Sequence, residues 1–293
     1  MTRLRLAVLH ASGTRNATVS YQLGWPDALA RDPRLDVTEI NLMSRRDRSV
    51  LRFRLRELEH VDAIVLLHSV FSNEPALSAG LATRIGRLRP PKALFLGNEY
   101  KLMPAKMELA AALQVGLLVS QLSSPEAHEL YRRRLGCTVV GIPNTGFDPE
   151  LFRPLTPRRE RLVHIGYRAF PSPIYLGHDE RRELAERVGA AARRRGLATD
   201  ISLDPADRFD PVGWAGFLDR CRAQVGSEAG GDYFELTDET RLSVSAHLRE
   251  RPDATLAELR AHFFAERGER VSGRALSGRI VEAAAAKSVQ ILL

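Results

Sequence analysis

Glu282 stands one turn after Arg279 in a segment whose other members are mostly Ala, Val and Ile. An ionised carboxylate on an apolar helix is costly to bury unless it is partnered. Two chemistries fit that spacing. One is an ion pair with Arg279, worth about 0.2–0.5 kcal/mol on a helix surface. The other is a carboxylate that accepts hydrogen bonds from a bound ligand. Further positions carry similar double meanings. Gly166-Tyr167-Arg168 ends a strand-like run: a glycine there lets a ligand approach the backbone, and Arg168 suits bidentate contact with a phosphate. Gly226-Ser227-Glu228-Ala229-Gly230-Gly231 is a glycine-rich loop whose one carboxylate, Glu228, suits a sugar or ribose. Gly13 follows the first apolar run, and His68 ends the third, where packing and acid–base chemistry are both open. Gly97-Asn98-Glu99-Tyr100-Lys101 is polar for a short connection, which fits either a turn or a cleft lining by Asn98 and Glu99.

Several activities lack their signatures. The loop after the first strand reads His10-Ala11-Ser12-Gly13-Thr14-Arg15-Asn16, with no G-x-G-x-x-G for a dinucleotide. Walker A, G-x-S-x-G and H-E-x-x-H motifs are missing as well. Asp204, Asp207 and Asp210 are flanked by Pro205 and Pro211, which reads as a solvated turn. Cys137 and Cys221 give neither a disulfide framework nor metal-ligand spacing. The expectation is no metal and no bound cofactor.

The candidate positions fall at the ends of apolar runs. Leu4–Leu9, Val37–Leu42, Ala63–Leu67, Ala93–Leu96, Gly116–Val119 and Val139–Ile142 read as strands. Helical patterns near 21–31, 50–59, 76–88, 105–113 and 125–135 lie between them. Repeated β-α units with apolar strands argue for a parallel, doubly wound sheet. A Pro-flanked, charged stretch at 154–160 breaks the pattern, and it then restarts with strands at 162–165, 199–203 and 223–225. The expected organisation is α/β, with two tandem Rossmann-like domains at 1–153 and 154–293. Helices at 239–249 and 256–264 have no strand between them and mark an insertion at about 234–271. An alanine-rich helix (275–287) and an apolar strand, Val289–Leu293, follow.

The 293 residues carry a net charge of +7, from 43 basic and 36 acidic residues, with the arginines scattered in short groups. A nucleic-acid reading needs that charge on one surface, so no nucleic-acid partner is expected. With 44% hydrophobic and 27% charged residues, the composition is that of a globular protein. The longest apolar stretch is far short of the roughly 20 residues of a bilayer span, and the N-terminus has no signal-peptide pattern. The expectation is a cytoplasmic chain without a transmembrane segment, with peripheral membrane association left open.

The passage LVSQLSSPEAHELYRRRLGCTVVGIPNTGFDPELFRP resembles the interdomain passage of GT-B glycosyltransferases of the group 1 type. VHIGYRA resembles the opening strand and basic loop of that family's second domain. GSEAGGDYFELTD, together with VSGRALSGRIVEAAAAKSVQILL, is similar to the CgeB-like, spore-maturation-type branch. The resemblance spans about Gln121 to Leu293 and implies a GT-B arrangement with a truncated second domain. It implies metal-independent transfer of a sugar from a nucleotide-sugar donor to an acceptor of unknown kind: glycan, lipid, protein or small molecule. Glu282 inherits a ribose-binding role, Glu228 a donor-sugar role and Arg168 contact with the pyrophosphate, alongside Gly166, Tyr167 and Arg279. Gly13, His68, Asn98 and Glu99 fall on the acceptor side, with His68 and Glu228 as candidate catalytic groups. The family helix carries a Glu eight residues before the ribose Glu, and Arg274 stands there instead. A non-catalytic nucleotide- or sugar-binding protein of the same fold is the alternative.

Overall fold

The computed structural model describes residues 2–13, 20–53, 55–143, 147–265 and 271–292, which form two compact units. Unit 1 holds a parallel sheet of six strands: β1 (Leu4–His10), β2 (Leu35–Asn41), β3 (Ala63–Leu66), β4 (Lys92–Phe95), β5 (Leu117–Ser120) and β6 (Thr138–Gly141). Their order is β2-β1-β3-β4-β5-β6, so the chain reverses direction across the sheet at β1. The helices are α1 (Ser20–Arg31), α2 (Arg45–Phe53), α3 (Ala79–Gly86), α4 (Met103–Ala112) and α5 (Pro125–Leu135). Leu6, Val8 and Leu67 pack with Trp25, Leu29, Val37 and Phe95, a contiguous apolar core on one side of the sheet.

Short polar residues set the helix ends. Ser124 accepts from the Ala127 amide, Pro125 opens α5, and Gly136 closes it in the left-handed region at φ +66°. Helix α4 starts differently. The residue before it, Leu102, has φ +55° and a side chain that cannot cap. The Leu102 and Met103 amides donate instead to the Asp238 carboxylate, at 2.6 and 3.2 Å. Residues 234–238 accordingly belong to unit 1, and Phe234 packs against Tyr131 with ring centroids 5.2 Å apart.

Unit 2 carries β7 (Val163–Arg168), β8 (Thr199–Ser202), β9 (Cys221–Gly226), β10 (Ala229–Gly231), β11 (Gly273–Ala275) and β12 (Val289–Leu292). A parallel sheet runs β12-β9-β7-β8, with β10 and β11 paired antiparallel beside it in a two-stranded sheet of their own. Its helices are α6 (Glu180–Arg194), α7 (Pro211–Arg220), α8 (Glu239–Glu250), α9 (Leu256–Leu259) and α10 (Gly278–Ala285). The mixed α/β character and the two parallel sheets fit Rossmann-like domains.

Three details differ from the sequence reading. The Pro-flanked stretch at 154–160 lies inside unit 2, because the Leu155 and Thr156 amides are held by the Asp219 carboxylate at 2.8 and 3.0 Å. The chain passes from one unit to the other at Pro143–Asn144. The alanine-rich helix, expected over 275–287, is shorter: Gly273–Ala275 form β11, and α10 runs from Gly278 to Ala285. Gly230, at φ +85°, lies so close to the Gly273 carbonyl that any side chain would collide with it, and this close pairing overrides helix periodicity. Finally, β12 is not buried but lies at the sheet edge, with Val289 45% and Leu292 50% exposed.

Candidate functional site

In unit 2, β7 has β8 on one side and β9 on the other, so the loops after β7 and β9 open at the point where strand order reverses. Open α/β sheets bind ligands there. Arginines from two helices and one loop converge on this edge. Arg181, in the first turn of α6, donates to the Phe170 carbonyl at 3.4 Å. Arg208 lies over the Phe170 ring, 4.3 Å from its centroid. Arg279, in the first turn of α10, donates to the Arg168 carbonyl and lies 5.1 Å from the centre of the Trp214 ring. Burial, with the like charges of Arg181 and Arg208, lowers the pKa of Arg279 from its ordinary value. Among the described residues neither Arg181 nor Arg279 forms an ion pair within 4 Å. Ser277 precedes α10 and makes no side-chain cap; the Ile280 amide donates to the Ser277 carbonyl at 3.1 Å, and the Gly278 and Arg279 amides at the helix start are the ones placed to meet an anion.

Glu282 lies one turn into α10 and is 3% exposed. It does not form the i,i+3 ion pair with Arg279. Its Oε2 accepts from the Trp214 indole N–H at 2.6 Å. Trp214, from α7, stacks on Phe217 with centroids 5.4 Å apart, while Arg279 takes its other contact. A cation, an aromatic ring and a buried carboxylate thus form one contiguous group at the start of α10.

The other unit 2 candidates sit apart from this group or serve the core. A side chain at Gly166 would meet Cys221 Sγ at 2.5 Å, Gln224 Nε2 at 2.7 Å and Phe217 Cζ at 2.8 Å, so the glycine admits the unit's own core. Tyr167 is buried with Leu184 and Val225. Arg168 turns toward β8, pairs with Asp200 at 2.5 Å and lies over Phe217 at 4.7 Å. Its two terminal nitrogens are committed to the protein, while Nε has no partner among the described residues. Glu228 is exposed and makes no hydrogen bond or ion pair among the described residues. Arg274 forms a two-point contact with Glu180, at 2.7 and 2.8 Å, and also pairs with Asp232.

In unit 1, Glu99 is 5% exposed and accepts from Ser120 Oγ (2.7 Å), the Gln121 amide (2.6 Å) and the Tyr131 hydroxyl (2.6 Å). Burial pushes its pKa up. Lys106, fully buried, donates to the carbonyls of Gly97, Asn98 and Lys101 at 2.7, 2.8 and 3.0 Å, and burial brings its pKa down to about 8. These two groups hold the loop after β4. Asn98, at φ +51°, donates to Ser72 Oγ at 2.9 Å within the same loop system. His68 is 3% exposed at the end of β3, and Gly13 faces Met43. Sequence reasoning missed Arg181, Arg208 and Trp214. Arg181 read as one of the scattered short groups of charge, nothing in the sequence marked Arg208, and the 68-residue separation of Trp214 and Glu282 hides their contact.

Among the described residues, no group of at least three His, Cys, Asp or Glu side chains could hold a metal ion, and no helix is long and apolar enough to cross a membrane. Comparison with protein families and with curated proteins gives no match.

Proposed function

We propose that the chain is a glycosyltransferase that takes a sugar from a nucleotide donor, with the nucleoside diphosphate bound at the start of α10. The observation that carries this reading is the convergence of Arg181, Arg208 and Arg279 beside the uncapped start of α10, one turn from buried Glu282. Guanidinium groups and helix amides are the usual partners of phosphate oxygens. They would also stabilise the charge that builds on a departing diphosphate. Glu282, anchored by Trp214, offers a carboxylate of the type that accepts hydrogen bonds from ribose hydroxyls. The acceptor side rests on the resemblance alone. The second reading, a nucleotide binder without transfer, is favoured by Arg274, which stands where the family carries a carboxylate and is tied to Glu180 and Asp232.

Calorimetry with uridine, guanosine and adenosine diphosphates, and with their 2′,3′-dideoxy analogues, tests the site. One natural diphosphate is expected to bind more tightly than its dideoxy form. Arg279→Ala is expected to weaken it about ten- to a hundredfold, the loss of one charged hydrogen bond. Glu282→Gln keeps an acceptor for Trp214 and is expected to abolish the ribose preference. No diphosphate binding to the native protein sinks the reading. Hydrolysis of the matching nucleotide sugar separates transfer from binding alone.

A further inference from the structure

β1 ends on His10, and the turn that follows brings Ser12 back against its ring. Ser12 Oγ lies 2.9 Å from His10 Nδ1. Beyond the other ring nitrogen, Glu39 Oε1 lies 2.7 Å from Nε2, off the axis of an N–H placed there. Glu39 arrives from β2, whose register sets Val8 beside Glu39 and His10 beside Asn41. The turn is pinned on both sides. Asn41 Nδ2 donates to the Ser12 carbonyl at 2.9 Å, and the Ala11 amide donates to Ser69 Oγ at 3.0 Å. His10 is buried at 2% exposure, whereas Ser12 is half-buried and open to solvent.

Serine alone is a weak nucleophile; a base within hydrogen-bond reach, itself oriented by a third group, is what activates it. The charge of Glu39 beside Nε2, acting through space because that nitrogen has no hydrogen-bond partner among the described residues, favours a proton on Nε2 and leaves the Nδ1 lone pair to accept the Ser12 hydroxyl. The same carboxylate stabilises the imidazolium that forms when the proton moves. The arrangement also sits at the carboxyl end of β1, where unit 1 reverses strand order and a ligand can approach.

We propose that Ser12 is a nucleophile, with His10 as its base and Glu39 as the carboxylate whose charge lies beside the far ring nitrogen, and that it accepts acyl groups from carboxylic esters. Ser12 Oγ forms a bond to the ester carbonyl carbon while its proton passes to His10 Nδ1. The bond from that carbon to the alcohol oxygen breaks, and the departing alkoxide takes the proton from Nδ1. Water then attacks the acyl-serine by the same route, releases the carboxylic acid and returns the proton to Ser12. This site belongs to unit 1 and does not depend on nucleotide binding in unit 2.

The test treats the full chain with p-nitrophenyl acetate and, separately, with a fluorophosphonate probe, followed by intact mass and peptide mapping. A single adduct on Ser12 is expected, absent from Ser12→Ala. Loss of the base in His10→Gln is expected to slow adduct formation by roughly a hundredfold. Because His10 is buried, Glu39→Gln, an exposed isosteric change that removes the charge, provides a second arm and is expected to slow it by about tenfold or less, the modest worth of a partly exposed charge pair. Melting temperatures identify any variant that fails to fold. No adduct on the native protein, an adduct only elsewhere, or equal rates in native protein and folded Glu39→Gln would each overturn the proposal.

Discussion

His68 enters its short 3-10 turn almost without solvent contact, and burial lowers its pKa from 6.5 to about 4. In the unfolded chain the same imidazole takes a proton near its ordinary value. As pH falls from 6.5 toward 4 the unfolded state therefore binds a proton that the folded state does not, and stability is lost across that window. The shift corresponds to about 3 kcal/mol. Urea unfolding of the native protein between pH 7 and 4 is expected to show this loss, and His68→Gln to flatten that part of the curve. At neutral pH the residue is an uncharged imidazole. Single residues were legible to different depths. Glu282 stood out because a lone carboxylate in an alanine-rich helix asks for a partner, but the partner, Trp214, lies on another helix that only tertiary packing brings near. Glu99 also looked exceptional, and here the polarity serves the loop: three donors converge on one buried carboxylate.

Elements were easier to read wherever both faces of a strand are covered, because continuous apolar runs such as Ala63–Leu66 and Leu117–Ser120 leave one sensible conformation. β8 and β10 read less clearly, since Thr199–Ser202 and Ala229–Gly231 offer the sheet little apolar surface. The glycine in β7 shows how a correctly flagged position can serve a different end. Gly166 lets Phe217 of α7 and Cys221 and Gln224 of β9 close over the strand. Gly166→Ala forces those side chains apart, and is expected to destabilise unit 2 by about 1–3 kcal/mol, the usual range for overpacking a core. Denaturant midpoints measure it. If instead the alanine variant keeps native stability and only loses diphosphate affinity, the glycine belongs to the ligand after all. The start of α10 matters on the same scale: beginning at Gly278 places Arg279 in the first helical turn, an alignment hidden while the helix was expected over 275–287.

Across the whole molecule, the chain does not divide into two consecutive halves. Residues 234–238 are part of unit 1, although the segments before and after them belong to unit 2. Sequence pattern put the change of character at 154–160, some ten residues past the change of unit, and nothing local in Phe234–Asp238 announces that its partners are Tyr131 and the first turn of α4. Asp238→Ala removes the acceptor of two helix-start amides, and is expected to destabilise unit 1 by about 0.5–2 kcal/mol, as for other lost caps. Hydrogen exchange is the sharper measurement: the Leu102 and Met103 amides should exchange faster, with the β7–β9 amides of unit 2 unchanged. Equal protection at Leu102 and Met103 would show that the carboxylate is dispensable.

The same carboxylate sets an order of events when the chain is made. A growing chain emerges N-terminus first, and domains generally fold as they appear. All six strands of unit 1 leave the ribosome well before Asp238 does. Until then α4 begins on a left-handed leucine whose amide, with that of Met103, has only water to donate to. The first unit is thus assembled early but finished late, after most of the second sheet has already been synthesised.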